Sequence, residues 1–232
     1  MALPRAAVVV LAGGSGTRVG AATNKVLLPL AGVPALARAV RTVLEVAGVH
    51  RIVLVVRPED RAPVEEAVAP WLGGHDIWLT DGGAERHDSE WAALRVLAAD
   101  IDAGELDVVA IHDGARPLAS ADLYRRVLDA AHRTGSAVPV REVGPLSRRN
   151  GSRVATRLGA VQTPQAFAAV PLLAAYREAD RLGFRGTDTA ACWEQYVGTP
   201  VTAVPGSAAN LKVTFAEDVA LAGELLTRRG WR

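Results

Sequence analysis

A three-layer α/β/α fold around a mostly parallel, doubly wound sheet is predicted by three features of the sequence. Short apolar, β-branched runs recur at 6–11, 51–56, 77–80, 108–112 and 137–140. Amphipathic segments near 34–46, 59–69, 88–99 and 120–134 separate them, which is the alternation that βα units produce. Half of the 232 residues are apolar, enough to cover both faces of such a sheet within one domain spanning 1–232.

The first run, Ala6–Leu11, reads as a buried strand that delivers the glycine-rich loop Gly13-Gly14-Ser15-Gly16 to a sheet edge. Pro63 and Ser120 mark helix starts, the one by its missing N–H and the other by side-chain capping. Gly186-Thr187-Asp188-Thr189 ahead of Ala190 has the form of a helix start, as does the stretch 207–214. Thr214-x-x-Glu217 reads as a capping box for a final helix. The segment at about 141–158 breaks the rhythm: it is polar, holds five arginines, and carries Asn150-Gly151, a two-residue hairpin signal. It is expected to form a protruding β-hairpin arm, with a solvated loop as the alternative.

Bulk properties exclude several classes of function. A net charge of +1, with no basic tract interleaved with aromatics, argues against nucleic-acid binding. Cys192 is the single cysteine, which rules out an internal disulfide framework and multi-cysteine metal sites and points to a reducing cytoplasm. The apolar run 6–12 is too short for a membrane span and has no small-residue cleavage site after it, so no membrane partner is expected.

Chemistry concentrates in loops that follow the predicted strands, where ligands collect in doubly wound sheets. In Leu11-Ala12-Gly13-Gly14-Ser15-Gly16-Thr17-Arg18, followed by Lys25, glycines let backbone N–H groups approach phosphate oxygens. Arg18 offers a planar fork and Lys25 a point charge, a pairing suited to a polyphosphate. The spacing fits neither G-x-G-x-x-G nor a Walker A loop, which counts against a dehydrogenase.

His112-Asp113-Gly114-Ala115-Arg116 ends another strand, and Asp113 there is a candidate ligand for Mg2+, with a plain turn as the other reading. Arg116 suits a surface ion pair or an anionic substrate, and His112 a structural role. Gly82-Gly83 precedes a helix that Asp88 or Ser89 can cap, and its backbone could read a base edge. Thr187, Asp188 and Thr214 fit capping, and Thr187 together with Lys212 could hold a substrate phosphate at a helix N-terminus.

These motifs, with Gln162-Thr163-Pro164-Gln165 and Asn210-Leu211-Lys212-Val213-Thr214, occur in an order that resembles the 2-C-methyl-D-erythritol 4-phosphate cytidylyltransferases of the non-mevalonate isoprenoid pathway. The resemblance spans about 6–226 and extends to the related ribitol 5-phosphate cytidylyltransferases. It implies a Rossmann-like fold, a cytoplasmic homodimer with arm exchange, and cytidylyl transfer from CTP to a polyol phosphate with Mg2+. Catalytic roles fall on Arg18 and Lys25, and the metal on Asp113. Nucleotide contacts fall on Ala12, Gly13, Gly14, Gly16, Gly83, Ser89 and Gly114. The acceptor phosphate falls to Arg116, Thr187 and Lys212, and to Arg157 of the arm reaching the neighbouring subunit. Val143, Ala84, Glu90, Trp91 and Ala209 depart from the family pattern. The departures leave room for a different polyol acceptor or for a non-catalytic CTP-binding relative.

Overall fold

A computed structural model describes residues 3–14, 24–144, 148–152 and 158–228. In chain order the strands are β1 (Ala6–Leu11), β2 (Pro29–Leu30), β3 (Val33–Pro34), β4 (Val49–Val56), β5 (Trp78–Asp81), β6 (Val108–Asp113), β7 (Ser136–Glu142), β8 (Gly159–Val161), β9 (Gln165–Ala168) and β10 (Thr202–Pro205). The helices are α1 (Ala35–Leu44), α2 (Arg61–Val68), α3 (Arg86–Asp102), α4 (Ala121–Thr134), α5 (Ala169–Leu182), α6 (Thr189–Tyr196) and α7 (Ala216–Arg228).

The sheet runs β10-β7-β9-β6-β1-β4-β5, with β8 pairing β7. The pairs β6–β1, β1–β4, β4–β5 and β7–β10 are parallel, and β9 is antiparallel to both its neighbours. β1 explains the three layers. Ala6, Val8 and Val10 pack with α1, α2 and α4 on one face, while Ala7 and Val9 pack with α3, α5 and α6 on the other. A strand buried on both sides has no need of alternating polarity, so its sequence is one apolar run. A third cluster seats α7 against Leu30, Leu118 and Val213. Among the described residues no helix is long and apolar enough to cross a membrane.

Of the predicted hairpin arm, the pairing at the base and a turn at 148–152 fall within the described residues. At its base Arg141 pairs antiparallel with Ala160, and Val143 N–H donates to the Leu158 carbonyl at 2.9 Å. At its tip Gly151 N–H donates to the Arg148 carbonyl at 2.8 Å, with Gly151 at φ +81°. Arg157 lies outside the described residues.

Helix starts follow the chemistry predicted for them at Ser120, whose hydroxyl accepts from Leu123 N–H, and at Asp188, which accepts from Ala191 N–H. Two others differ. α3 is capped by Glu85 and Asp88 in a reciprocal box, and neither Asp88 nor Ser89 is the capping residue itself, because the helix begins at Arg86. At α7 the carboxylate that reaches back to Thr214 N–H and Phe215 N–H is Asp218, not Glu217. The stretch 207–214 is a pinned loop rather than a helix start.

One buried network fixes the carboxyl end of β6, which carries most of the chemistry. His112 is fully buried, and its Nε2 lies 3.2 Å from the Arg116 carbonyl, an acceptor, so Nε2 carries the proton. Nδ1 then accepts from the Thr163 hydroxyl at 3.1 Å, and Thr163 Oγ1 accepts from Asp113 N–H at 3.0 Å. The Thr163–Pro164 peptide is cis. Burial pushes the His112 imidazole down to about 4, against the pull of Asp113.

Below pH about 6.5 the unfolded chain therefore binds a proton that the native chain refuses until pH about 4. Stability is expected to fall by about 3 kcal/mol as pH is lowered through that window. Urea unfolding at successive pH values measures this, and His112→Gln is expected to flatten the slope over that interval.

Candidate functional site

Because β1, β4, β5 and β6 run parallel, their carboxyl ends open on one edge of the sheet, and a cleft of about 640 Å³ lies there. Gly13 and Gly14 line it after β1, Arg57 and Glu59 after β4, Gly82 to Arg86 after β5, and Asp113 and Ala115 after β6. Lys25, Ser89 and Lys212 also line it.

Each contributor is held by identifiable bonds. Asn24, 2% exposed, donates from Nδ2 to the Ala12 carbonyl at 2.7 Å and to Asp60 at 2.9 Å, which sets Lys25 beside the end of β1. Asp60 also pairs with Arg57 at 2.7 Å, so the loops after β1 and β4 share one carboxylate. Lys212 is carried in by a loop tied down by Val213 N–H to the Ala115 carbonyl at 2.8 Å and by Asn210 Nδ2 to the Thr163 carbonyl at 2.9 Å.

Asp113 is the electrostatic centre. Its Oδ1 is 2.5 Å from Arg86 Nη1, and its Oδ2 is 3.0 Å from Lys212 Nζ and 3.5 Å from Arg116 Nε. Burial works to raise its pKa, but Arg86 and Lys212 outweigh it and hold the carboxyl well below the usual carboxylate range. Arg86 has a second partner: its Nε donates to Glu90 at 2.8 Å. Glu90 is fully buried and also accepts from the Thr189 hydroxyl at 2.9 Å and from Tyr176 OH. Burial pushes the Glu90 carboxyl up, while Arg86 and these hydrogen bonds oppose the shift.

Several residues singled out in the sequence meet here: Gly13, Gly14, Lys25, Gly83, Ser89, Asp113 and Lys212 share the cleft wall. Ala12 and Gly114 lie just behind it. Ala12 is fully buried, and a Cβ on Gly114 would come within 3.1 Å of the Leu11 carbonyl. Arg116 does not line the cleft; it sits behind Asp113 and donates to the Asn210 carbonyl at 2.8 Å. Thr187 is exposed outside the cleft wall, beside Asp188, whose Oδ2 accepts from Gln165 at 3.1 Å. Gly16 and Arg18 fall outside the described residues. Sequence reasoning assigned no role to Arg57, Asn24 or Arg86, and marked Glu90 as a departure without placing it. A charged residue one helical turn after Arg86 was the available signal for that pair.

The Gly82-Gly83 pair also meets a packing requirement. A Cβ on Gly83 would lie 2.2 Å from Asp88 Cβ, and one on Gly82 would lie 2.8 Å from Ser89 Oγ. The close approach is to the first turn of α3. Gly83 N–H donates to Ser89 Oγ at 3.2 Å, which in turn donates to the Glu85 carbonyl at 3.1 Å. Gly83→Ala must therefore push the loop off the helix and is expected to cost about 1–3 kcal/mol. At Gly13 the nearest atom to a Cβ is 3.7 Å away, so Gly13→Ala is expected to stay within about 0.5 kcal/mol of wild type. Denaturant unfolding of the two variants side by side checks the contrast.

Comparison with known proteins agrees with this geometry. The family model for 2-C-methyl-D-erythritol 4-phosphate cytidylyltransferase (IspD) matches residues 6–228. The chain is similar to the protein of that name from Shouchella clausii, with 38% identity over 229 residues covering 96% of this chain and 97% of that one. Similarity to the Symbiobacterium thermophilum protein of the same name reaches 42% over 233 residues, covering 94% and 92%. Among solved structures, 2-C-methyl-D-erythritol 4-phosphate cytidylyltransferase from Thermus thermophilus superimposes with a TM-score of 0.69 at 29% identity, covering 95% of this chain and 98% of that one. A 4-diphosphocytidyl-2C-methyl-D-erythritol synthase from Anaerococcus prevotii shares the fold, with a TM-score of 0.79 at 24% identity over 97% and 96% of the two chains. The chain belongs to the 2-C-methyl-D-erythritol 4-phosphate cytidylyltransferase family.

Proposed function

We propose that this chain transfers a cytidylyl group from CTP to the phosphate of 2-C-methyl-D-erythritol 4-phosphate, giving 4-diphosphocytidyl-2-C-methyl-D-erythritol and pyrophosphate. The observation that carries the reading is a cleft at the ends of four parallel strands, lined by a glycine loop, Lys25, Lys212 and Asp113 and large enough for a nucleotide.

An oxygen of the acceptor phosphate attacks the α-phosphorus of CTP in line, and the bond from that phosphorus to the bridging oxygen of the β-phosphate breaks. The attacking phosphate is already an anion at neutral pH, so no general base is required. His112, the histidine directly behind Asp113, is fully buried and has both ring nitrogens engaged, in keeping with that chemistry. What remains for the protein is to hold two anions in line and to offset the charge that grows on the leaving group.

Lys25 and Arg18 are assigned to the triphosphate, with Gly13, Gly14 and Gly16 letting the backbone approach it. Ala12, Gly83 and Ser89 face the cytosine, and Gly114 the ribose. Lys212, Arg116, Thr187 and the arm's Arg157 are assigned to the acceptor phosphate, with Arg157 reaching the site of a second subunit. Leu158 and Val161, 41% and 47% exposed at the base of the arm, suit a face covered in a homodimer. Cys192 is a buried free thiol, compatible with a cytoplasmic enzyme.

Mg2+ is assigned to Asp113. Among the described residues no cluster of three or more acidic, His or Cys side chains stands ready to enclose a metal. A single carboxylate beside a phosphate-binding loop fits a cation that takes one or two protein oxygens and completes its shell with phosphate oxygens and water. When bound, the ion neutralises phosphate charge. Lys212 and Arg86 balance Asp113 otherwise.

Pyrophosphate release from CTP is expected with 2-C-methyl-D-erythritol 4-phosphate and not with ribitol 5-phosphate; the reverse preference overturns the acceptor assignment, and no release with either overturns the enzyme. Lys25→Met is expected to lower kcat/KM by about 100-fold, the loss of one preorganised donor worth about 3 kcal/mol. Unchanged kcat/KM removes Lys25 from the triphosphate.

A further inference from the structure

Among the described residues Glu90 is the one fully buried carboxylate that the reaction above does not use. It sits on α3 one turn after Arg86, and its two oxygens receive three donors from three helices: Arg86 Nε of α3, Thr189 Oγ1 of α6, and Tyr176 OH of α5. Removing a carboxylate from water costs several kcal/mol unless its partners are well placed, so such a group is a costly way to fill space between helices. An apolar side chain would pack there at lower cost. The structure gives the charge a use that packing does not have.

The Arg86 guanidinium is held at two points. Nε is fixed by Glu90 inside the protein, and Nη1 rests on Asp113 at the cleft. Nη2 is buried and has no hydrogen-bond partner among the described residues. Arg86 is therefore a lever whose inner end is anchored and whose outer end sets the Asp113 carboxylate. The oxygen that anchors Arg86, Oε1, also receives the Thr189 hydroxyl. Thr189 opens α6, two residues after Thr187. One carboxylate oxygen thus ties the nucleotide side of the cleft to the loop assigned to the acceptor phosphate.

We propose that Glu90 is a positioning residue for cytidylyl transfer, fixing Arg86 and through it Asp113 on the donor side, and the Thr187–Thr189 loop on the acceptor side. The proposal rests on the reaction assigned above and deepens it. Pinning Nε removes the rotamer freedom of Arg86 before substrate arrives, so the guanidinium exchanges partners at its outer end without a search. Tyr176 donates to the other oxygen, Oε2, which holds neither Arg86 nor Thr189, so its hydrogen bond bears on stability and not on the two sides of the cleft.

The test compares Glu90→Gln, Arg86→Met, their double variant, Thr189→Val and Tyr176→Phe, with kinetics taken well below each midpoint of unfolding. Glu90→Gln is expected to lower kcat/KM for CTP about tenfold in the wild-type background and not at all in the Arg86→Met background. Thr189→Val is expected to raise KM for the polyol phosphate several-fold with KM for CTP unchanged, and Tyr176→Phe to lower the unfolding midpoint with both kinetic constants unchanged. Full activity of Glu90→Gln, a loss that multiplies with that of Arg86→Met, or an equal loss in Tyr176→Phe overturns the proposal. If Glu90→Gln does not fold, Thr189→Val decides, and an unchanged acceptor KM overturns it. A crystal structure of Glu90→Gln without substrates separates this proposal from the reaction itself. Arg86 displaced from Asp113 supports the positioning role even if the wild type turns over neither polyol, and Arg86 unmoved overturns it.

Discussion

The Asp113 carboxylate is the point on which the site depends. It stands at the end of β6, nearly enclosed, and three cations from three separate parts of the chain converge on it: Arg86 from the start of α3, Arg116 from the loop after β6, and Lys212 from the loop before α7. A carboxylate so placed is tolerable only because these partners are there, and the partners keep their positions only because the carboxylate is there. The backbone beneath follows the same logic. Asp113 N–H is bonded to Thr163, Thr163 to neutral His112, and His112 to the Arg116 carbonyl, so the residue that holds the cations is itself held from below.

Around this node the cleft carries an excess of positive charge although the whole chain is nearly neutral at +1. Lys25, Arg57, Arg86 and Lys212 line it against Glu59, Glu85 and Asp113, and much of that acidity is already committed to neighbours. Charge focused in a concave site acts on an incoming polyanion far more strongly than the same charge spread over a surface. Glu85 is bound up in the capping box of α3, Arg57 is divided between Glu59 and Asp60, and Lys212 pairs with Asp113. An ammonium group on a flexible stem can follow a phosphate through a displacement in which its geometry changes, whereas a guanidinium locked at both ends sets a fixed frame.

Legibility in the sequence followed locality. β1, β4 and β6 were readable because a strand buried on both faces is a continuous apolar run, and Ser120 and Asp188 because a cap acts within three residues. Where two residues compete for one local task the outcome turned on atoms: Asp218 reached the start of α7 in place of Glu217, and Glu85 took the cap position of α3 with Asp88 closing the box. The antiparallel insertion of β9 between β6 and β7 was not predicted, since pairing direction is a property of distant segments. Within the site, Asp113, Lys25 and Lys212 could be named from motif chemistry. Arg86 and Glu90 could not be given roles, because their partners Asp113, Tyr176 and Thr189 lie 27, 86 and 99 residues away.

The two halves of the site therefore differ in how they are specified. The half proposed for the donor is made by successive βα units, in which each loop follows its strand and its position is inherited from the sheet. The half proposed for the acceptor draws on segments beyond the core strands: the Thr187 loop, the Lys212 loop and the arm. Side-chain ties place the first two, through Thr189 to Glu90, Asp188 to Gln165, and Asn210 to Thr163. Such ties are single contacts of about 1 kcal/mol each, and changing one residue moves a loop without disturbing the sheet.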